Sequence, residues 1–272
     1  MRTTRFLERL AMEPPFRLLV WALFHVIPPS VQTRARWAVS KRPAYLLGVV
    51  TAAEQAIKQG LRQISVVEFG VAGGAGLLAL QKEADAVEKE LGVEIKVFGF
   101  DAGGGLPQLI GDYRDHPDVW RPGDYPMDEG ALRSRLGSRT TLILGNVAET
   151  VPDFFAKYDP PPIGFASFDL DFYSSTRDAL KIFTLPNKRM LRQVPLYFDD
   201  INCLYNHQFA GESLAIAEFN KRNSNVKIDR WYHVKWRSAF PERLYFDDLY
   251  VAHDLDAINK TTLDRAVNRI PM

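Results

Sequence analysis

The sequence has 272 residues and is 46% hydrophobic, which suits one α/β domain with an extension. Lysine and arginine number 34 and aspartate and glutamate 33, so the formal net charge is +1, and no long block of like charge suggests nucleic acid as a partner. The single cysteine, Cys203, excludes an internal disulfide framework and a cysteine-built zinc site, and it is compatible with a cytoplasmic location.

An apolar run from Phe16 to Ile27 follows several basic residues, superficially like a secretory signal. The run is shorter than the roughly 20 residues that span a bilayer, and it contains Arg17 and His25, so we expect no stable membrane span. A helix packed on the domain or on a second subunit is expected, with a homodimer through the N-terminal helices as the possible assembly. A membrane-surface helix is the alternative.

A second predicted helix begins after Pro43 and is closed by Gly60. Its apolar positions recur at helical spacing: Tyr45, Leu46, Val49, Val50 and Ala53. Residues 1–60 are therefore predicted to be a helical N-terminal extension, and residues 61–272 the main domain.

Five β-branched or apolar runs then alternate with helical stretches: Ile64 to Val71, Ile95 to Asp101, Thr140 to Val147, Gly164 to Asp171 and Val194 to Asp200. This rhythm predicts a parallel sheet covered on both faces. The long segment from Gly103 to Arg139 is predicted to be a substrate-side loop with a helix in it. Near the C-terminus, Trp231 to Phe240 and Glu242 to Leu255 are expected to pair as a hairpin.

The first predicted strand runs into a glycine-rich turn, Glu68 to Gly76, that leads to a helix. Glycines such as Gly70 and Gly74 let the backbone turn tightly and approach a ligand closely. NAD, flavin, nucleotide and S-adenosylmethionine sites all use such turns, and a purely structural turn is a further alternative. Glu68 lies inside a buried strand, where an acid needs a partner, and a cationic amino-acid ligand is one candidate.

Ligands of open α/β sheets bind outside the carboxyl ends of the strands. At the second strand end Asp101 is a candidate acceptor for both hydroxyls of a ribose, although it could be a solvated loop residue. At the third strand end Asn146 offers a donor and an acceptor to an adenine ring.

The fourth and fifth strand ends carry acids. Asp169 and Asp171, two residues apart, would face the same side of an extended strand, and Asp199 and Asp200 end the next strand. Converging carboxylates repel one another, and a hard divalent cation such as Mg²⁺ would neutralise them. The alternative is that these acids cap the following helices or pair with Arg177, Lys181 and Arg192.

Five motifs between Glu68 and Asp200 together resemble the macrocin O-methyltransferase family. They are Glu68-x-Gly70-Val71-x-x-Gly74, Gly99-Phe100-Asp101 with Gly105-Leu106-Pro107, Glu149-Thr150-Val151-Pro152, Asp169-x-Asp171-x-Tyr173-x-Ser175-Thr176, and Asp199-Asp200. The resemblance implies a Rossmann-like class I methyltransferase domain over residues 61–272. Its fold would be a mostly parallel seven-stranded sheet with helices on both faces, an antiparallel C-terminal edge and extra N-terminal helices.

The resemblance also implies an S-adenosylmethionine-dependent, Mg²⁺-assisted O-methyltransferase acting on a hydroxyl of a small molecule of the sugar or natural-product type. Asp169, Asp199 and Asp200 would be the metal ligands, and Asp171 the general base. The cofactor-binding residues would be Glu68, Gly70, Gly74, Asp101, Asn146 and Asp169. The chain departs from the family in lacking a glycine pair before the fifth strand and in a longer segment from Asn202 to Gly211.

Several other residues near these motifs have a structural interpretation, a functional one, or both. The second acid pair, Asp247-Asp248, is predicted to be turn or edge acids away from the cofactor. His207 is a candidate base or pocket residue, and three aromatics are candidates for the floor of the acceptor pocket: Trp120, Tyr125 and Tyr205. An NAD-linked oxidoreductase would use the same glycine turn and Asp101 but gives the four acids no role, and a non-catalytic protein retaining the fold is a third reading.

Overall fold

The computed structural model describes residues 12–202 and 207–261. Within these ranges the chain begins with three helices, α1 (Phe16–Val26), α2 (Val31–Arg36) and α3 (Pro43–Lys58). Ser30 caps α2 by accepting a hydrogen bond from the amide of Thr33. Pro43 opens α3, where its missing N–H costs nothing.

One seven-stranded sheet forms the centre of the molecule, in the order β3-β2-β1-β4-β5-β7-β6. Its strands are β1 (Gln63–Phe69), β2 (Glu94–Asp101), β3 (Thr140–Leu144), β4 (Ile163–Phe168), β5 (Gln193–Phe198), β6 (Val226–Arg230) and β7 (Leu249–Asp254). Strands β1 to β5 pair in parallel, whereas β7 is antiparallel to both β5 and β6. The predicted mostly parallel sheet with an antiparallel C-terminal edge is confirmed.

The remaining helices of the described chain are α4 (Ala75–Leu91), α5 (Glu129–Arg133), α6 (Val147–Tyr158), α7 (Tyr173–Ala179), α8 (Gly211–Arg222) and α9 (Leu255–Asn259). The short helix α5 lies in the long segment between β2 and β3, as predicted. Helices α3 and α4 pack against each other on one face of the sheet. On the opposite face, the ring of Phe154 in α6 lies 5.0 Å from the Phe98 ring and 5.2 Å from the Phe100 ring.

The predicted terminal hairpin is wrong in its first strand. The partner of β7 is β6, which ends at Arg230, and the segment from Trp231 to Phe240 forms no strand but contains a 3-10 helix, Val234–Arg237. The aromatic side chains of this segment are not packed on the sheet, since Tyr232 is 65% and Trp236 69% exposed to solvent. Burial against a neighbouring strand, which would favour a β conformation, is therefore missing. Of the second segment, the strand occupies only Leu249–Asp254.

A row of stacked phenylalanine rings crosses four adjacent strands at their carboxyl ends. The Phe69 ring lies 4.9 Å from that of Phe100 and 5.0 Å from that of Phe168, which in turn lies 4.7 Å from Phe198. All four side chains are fully buried. Because side chains alternate along a strand, this row fixes the direction of the residue that follows each ring. Those residues are Gly70, Asp101, Asp169 and Asp199.

Helix α1 packs on its own chain through one face only. Val20, Trp21 and Phe24 contact a small apolar cluster that includes Trp37 and Phe240. The other face leaves Leu19, Leu23 and Val26 at 64%, 51% and 78% exposure. Among the residues described, no helix has the length and apolar character needed to cross a membrane. The domain boundary at residue 60 stays a prediction.

Candidate active site

A cavity of about 440 Å³ opens at the carboxyl ends of β1, β2, β4 and β5. The glycine-rich turn forms one wall, with Gly70 at φ +85° and Gly74 at φ +83°, a conformation that strongly favours glycine. A side chain at Gly70 would collide with the carbonyl oxygen of Asp169, and one at Gly76 with the carboxylate of Glu68. These glycines therefore bring the loop backbone into contact with the acids of the site.

Asp101 organises this turn from the neighbouring strand. One carboxylate oxygen accepts hydrogen bonds from the amides of Val71 and Ala72, each 2.8 Å long, and the other accepts one of 2.6 Å from the amide of Gly103. Asp101 is 9% exposed and lines the cavity. The carboxylate thus clamps two loops together, a role that the sequence did not indicate.

Glu68 is a fully buried acid with one unpaired oxygen. Its Oε1 atom accepts a hydrogen bond of 2.7 Å from the hydroxyl of Tyr45. Its Oε2 atom is buried and has no hydrogen-bond partner within the described part of the chain. Burial raises the pKa of Glu68 to about 8, while the Tyr45 hydrogen bond opposes this rise. A buried acceptor left open toward a cavity fits a cationic ligand group.

The acids of the fourth and fifth strand ends come together as predicted. Asp169, Asp199 and Asp200 each offer an oxygen atom within 4.8 Å of the others. Burial, reinforced by the charges of Asp199 and Asp200, raises the pKa of Asp169 to about 7. Tyr197 donates a 2.7 Å hydrogen bond to Asp199, and Arg42 lies 3.5 Å from the same carboxylate, so that one positive charge faces three acids.

Asp171 lies beside this group, although not in the predicted way. Strand β4 ends at Phe168, and Asp171 has φ +58°, so Asp169 and Asp171 do not face the same side of an extended strand as predicted. The amide of Asp171 donates a 3.0 Å hydrogen bond to Asp200, and this bond holds the turn. Burial first, and then the charge of Asp169, raise the pKa of the Asp171 carboxyl to about 7.

The alternative in which these acids pair with Arg177, Lys181 and Arg192 is not what the structure contains, and the cation that pairs with Asp199 is Arg42, at 3.5 Å. Arg177 and Lys181 both bind Asp178, at 2.8 Å and 2.7 Å. Arg192 directly precedes β5, at the opposite end of this strand from Asp199.

Asn146 lines the cavity at the end of β3, and its side-chain oxygen caps α6 by accepting a hydrogen bond of 2.9 Å from the amide of Ala148. Trp120 and Tyr125 also line the cavity, with ring centroids 6.4 Å apart. Tyr205 and Cys203 lie outside the described residues. His207 is exposed, and its ring lies 5.2 Å from that of His116 rather than in the cavity wall.

Asp248 lies nearer to the acids than predicted. It ends a 3-10 helix, Leu244–Asp248, and accepts a 2.7 Å hydrogen bond from the side chain of Asn202. Burial raises the pKa of Asp248, and the charge of Asp199 contributes to that rise. Asp247 is exposed, in agreement with its interpretation as a turn acid.

Three residues in or beside the site were not predicted from the sequence to belong to it. Arg42 and Tyr45 reach the cavity region from the start of α3, where Tyr45 was recognised only as an apolar helix position. Glu212, in the first turn of α8, is 1% exposed, and neither carboxylate oxygen has a hydrogen-bond partner in the described chain. Burial and the charge of Asp200 raise the pKa of Glu212 well above its ordinary value.

The sequence contains a signal for the strand ends. A phenylalanine directly precedes the residue at or just after each of four strand ends: Gly70, Asp101, Asp169 and Asp199.

The strand order, with five parallel strands and β7 inserted antiparallel between β5 and β6, defines the Rossmann-like class I methyltransferase fold. The dinucleotide-binding fold has the order 3-2-1-4-5-6 and lacks this insertion.

No family model matches the chain, and no curated protein matches it. Among solved structures, calicheamicin methyltransferase CalS11 is 21% identical over 76% of this chain and 85% of its own, with a TM-score of 0.48. The O-methyltransferase NovP is 17% identical over 66% and 72% of the two chains, with a TM-score of 0.49. The O-methyltransferase TomG from Streptomyces achromogenes is 14% identical over 86% and 95%, with a TM-score of 0.43.

Proposed function

We propose that this protein is an S-adenosylmethionine-dependent, Mg²⁺-assisted O-methyltransferase that acts on a hydroxyl of a small molecule. The observation that carries the proposal is the pairing, in one cavity, of the open Glu68 oxygen with the converging acids Asp169, Asp199 and Asp200. The first feature suits a cationic amino-acid group and the second a hard cation. The sugar or natural-product type of acceptor follows from the motif resemblance and belongs to the proposal.

The cofactor would lie along the glycine turn. Glu68 would bind its α-ammonium, and Asp101, which keeps acceptor capacity beyond its three backbone bonds, would bind the ribose. Asn146 would contact the adenine at the end of β3. Gly70 and Gly74 would permit close approach of the backbone, and the backbone of Asp169 completes this wall.

When bound, S-adenosylmethionine supplies the methyl group and Mg²⁺ polarises the acceptor hydroxyl. Asp169, Asp199 and Asp200 would hold the metal. Asp171, whose pKa is raised to about 7 chiefly by burial, would accept the proton that the hydroxyl loses. Trp120 and Tyr125 would cover the acceptor side and limit the access of water. Most of the rate enhancement would come from holding the acceptor in line with the methyl group.

Two other functions use parts of the same cavity. An NAD-linked oxidoreductase would use the glycine turn and Asp101 but leaves the grouped acids without a role, and β7 departs from the dinucleotide-binding topology. A non-catalytic protein with this fold would have no need to keep Asp169 and Asp171 close to other acids at a cost in stability.

We infer in addition a cytoplasmic location and a homodimer through the N-terminal helices. The exposed apolar face of α1, with Leu19, Leu23 and Val26, favours such a contact.

Calorimetry separates these functions without knowledge of the acceptor. We expect S-adenosylhomocysteine to bind and NAD not to bind, and Mg²⁺ to raise the melting temperature by about 3 °C or more. Asp199→Asn should abolish the Mg²⁺-induced shift because it removes one of the three grouped carboxylates, while S-adenosylhomocysteine affinity changes by less than about threefold. Once an acceptor is identified, this variant should also lose Mg²⁺-stimulated turnover.

Asp247→Asn is the matched control, since Asp247 is an exposed member of the other acid pair. It should retain the full Mg²⁺ response. Binding of NAD alone would refute the proposal, and an undiminished Mg²⁺ shift in Asp199→Asn would refute the ligand assignment.

A further inference from the structure

Arg42 is the only cationic side chain among the described residues that line the cavity. The wall contains seven acids: Glu68, Asp101, Asp124, Asp169, Asp171, Asp199 and Asp200. A lone arginine in such a wall is surrounded by more negative charge than it neutralises.

The contacts of Arg42 leave much of its hydrogen-bonding capacity unused. Its Nη1 atom lies 3.5 Å from Asp199, and within the described chain this is its only ion pair. The guanidinium also lies 5.5 Å from the centroid of the Tyr45 ring. A guanidinium carries five N–H donors, so a single long ion pair leaves donors available. The side chain is 35% exposed, which agrees with an open position at the cavity wall.

Tyr45 connects Arg42 to Glu68. Its ring faces the guanidinium, and its hydroxyl donates to Glu68 Oε1 at 2.7 Å. The open Oε2 atom of Glu68 and the open donors of Arg42 therefore belong to one local arrangement, with an acidic side chain on one side of Tyr45 and a cationic side chain on the other. Such an arrangement matches a ligand group that carries one positive and one negative charge a few ångströms apart.

We propose that Arg42 binds the α-carboxylate of the methionine end of the cofactor while Glu68 binds its α-ammonium. This inference rests on the proposed function. A carboxylate placed in this wall without Arg42 would face acids alone and would be repelled. Arg42 is thus a cofactor-binding residue that selects a zwitterionic amino-acid end over a purely cationic one.

The test is a cycle of two proteins and two ligands, measured by calorimetry in EDTA so that metal binding plays no part. The ligands are S-adenosylhomocysteine and its decarboxylated analogue, which keeps the amine and lacks the carboxylate. Arg42→Met, which removes the charge and retains much of the side-chain volume, should weaken S-adenosylhomocysteine binding about 30-fold, as for loss of a charge-assisted hydrogen bond. It should change binding of the analogue by less than about threefold.

Lys41→Met is the matched control, because Lys41 is the adjacent cation, is exposed and does not line the cavity. It should bind both ligands like the wild type. If Arg42→Met fails to fold, Arg42→Lys, which keeps the charge and loses the planar fork, should weaken S-adenosylhomocysteine selectively by about fivefold.

Equal weakening of both ligands, or no weakening of either, overturns the role of Arg42. The first pattern would mean that Arg42 shapes the site through Asp199 or Tyr45. Failure of the wild-type protein to bind S-adenosylhomocysteine at all would instead overturn the proposed function. The two failures therefore give different results in the same experiment.

Discussion

The two ends of the cavity differ in how the charge of their carboxylates is balanced. At the glycine turn, Asp101 accepts three short hydrogen bonds from backbone amides of its own chain. At the other end, Asp169, Asp199 and Asp200 point at one another, and the Asp169 pKa is raised to about 7 by burial and by its neighbours. The first end is complete as folded. The second has one arginine, Arg42, for three carboxylates.

This difference separates an acid whose charge the fold satisfies from acids whose charge is left for a ligand. An acid whose charge is satisfied by the fold stabilises the fold and positions what surrounds it. Grouped acids with raised pKa values lower stability, and a chain retains them where function requires it. Glu68 lies between these cases, since one oxygen is bound by Tyr45 and the other is open. Substitution of one acid or one helix cap at a time tests this contrast.

The largest effect is expected for Asp101→Ala. The substitution leaves the amides of Val71, Ala72 and Gly103 without their acceptor, and unpaired buried donors are costly. We expect a loss of about 3 kcal/mol in the free energy of unfolding, measured by urea denaturation. S-adenosylhomocysteine affinity should fall at least tenfold, because the glycine turn loses its clamp.

Asp118→Ala is the control for that substitution, since Asp118 is exposed and lies outside the cavity wall. It should unfold like the wild type. A loss below about 1 kcal/mol in Asp101→Ala would show that the turn holds its shape without the clamp, and the contrast between the two ends would then disappear.

Glu68 gives the second effect, a pH dependence of stability. Its pKa is about 8 in the folded protein against an ordinary value of 4.5, so the folded state keeps a proton that the unfolded state releases. The contribution of this proton to the free energy of unfolding is complete below pH 4.5 and is lost as the pH rises toward 8. Glu68→Gln should remove this dependence, so that the variant gains about 2 kcal/mol relative to the wild type between pH 6 and pH 8.

Urea denaturation at several pH values, without ligand, measures this difference. Glu149→Gln serves as the control because Glu149 is exposed and lies outside the cavity wall. Parallel stability curves for wild type and Glu68→Gln would mean that Glu68 is ionised in the folded protein, and the open oxygen would then need a cation already present.

The sequence predicted the parallel part of the sheet and the acids at its edge because both depend on local patterns. A buried parallel strand is a short apolar run, and the residue after it must lie at the ligand edge. Asp169, Asp199 and Asp200 are therefore close in space, as expected, although they lie on two strands. The position of Asp171 was harder to predict from the sequence, since its left-handed conformation depends on the hydrogen bond to Asp200.

Features that depend on tertiary packing were not predictable in the same way. Strand β6 is a short edge strand with Lys227, Asp229 and Arg230 among its residues, and such edges lack a strong hydrophobic signal. The aromatic segment after it has a stronger β propensity but is exposed. Arg42 and Tyr45 enter the site because α3 packs across β1, β4 and β5, a contact that no local pattern encodes.

The smallest effect concerns Asn146, which has a structural role and a predicted ligand role that substitutions can separate. Asn146→Ala removes the cap on α6 and should cost about 1 kcal/mol of stability. Asn146→Ser keeps a capping oxygen, so its stability in urea should match the wild type. If the amide also contacts the adenine, Asn146→Ser should still weaken S-adenosylhomocysteine about fivefold by calorimetry. Wild-type affinity for S-adenosylhomocysteine in Asn146→Ser would mean that Asn146 acts only as a helix cap. Its hydrogen-bonding capacity, like the charge of Asp101, would then be satisfied by backbone amides of the fold.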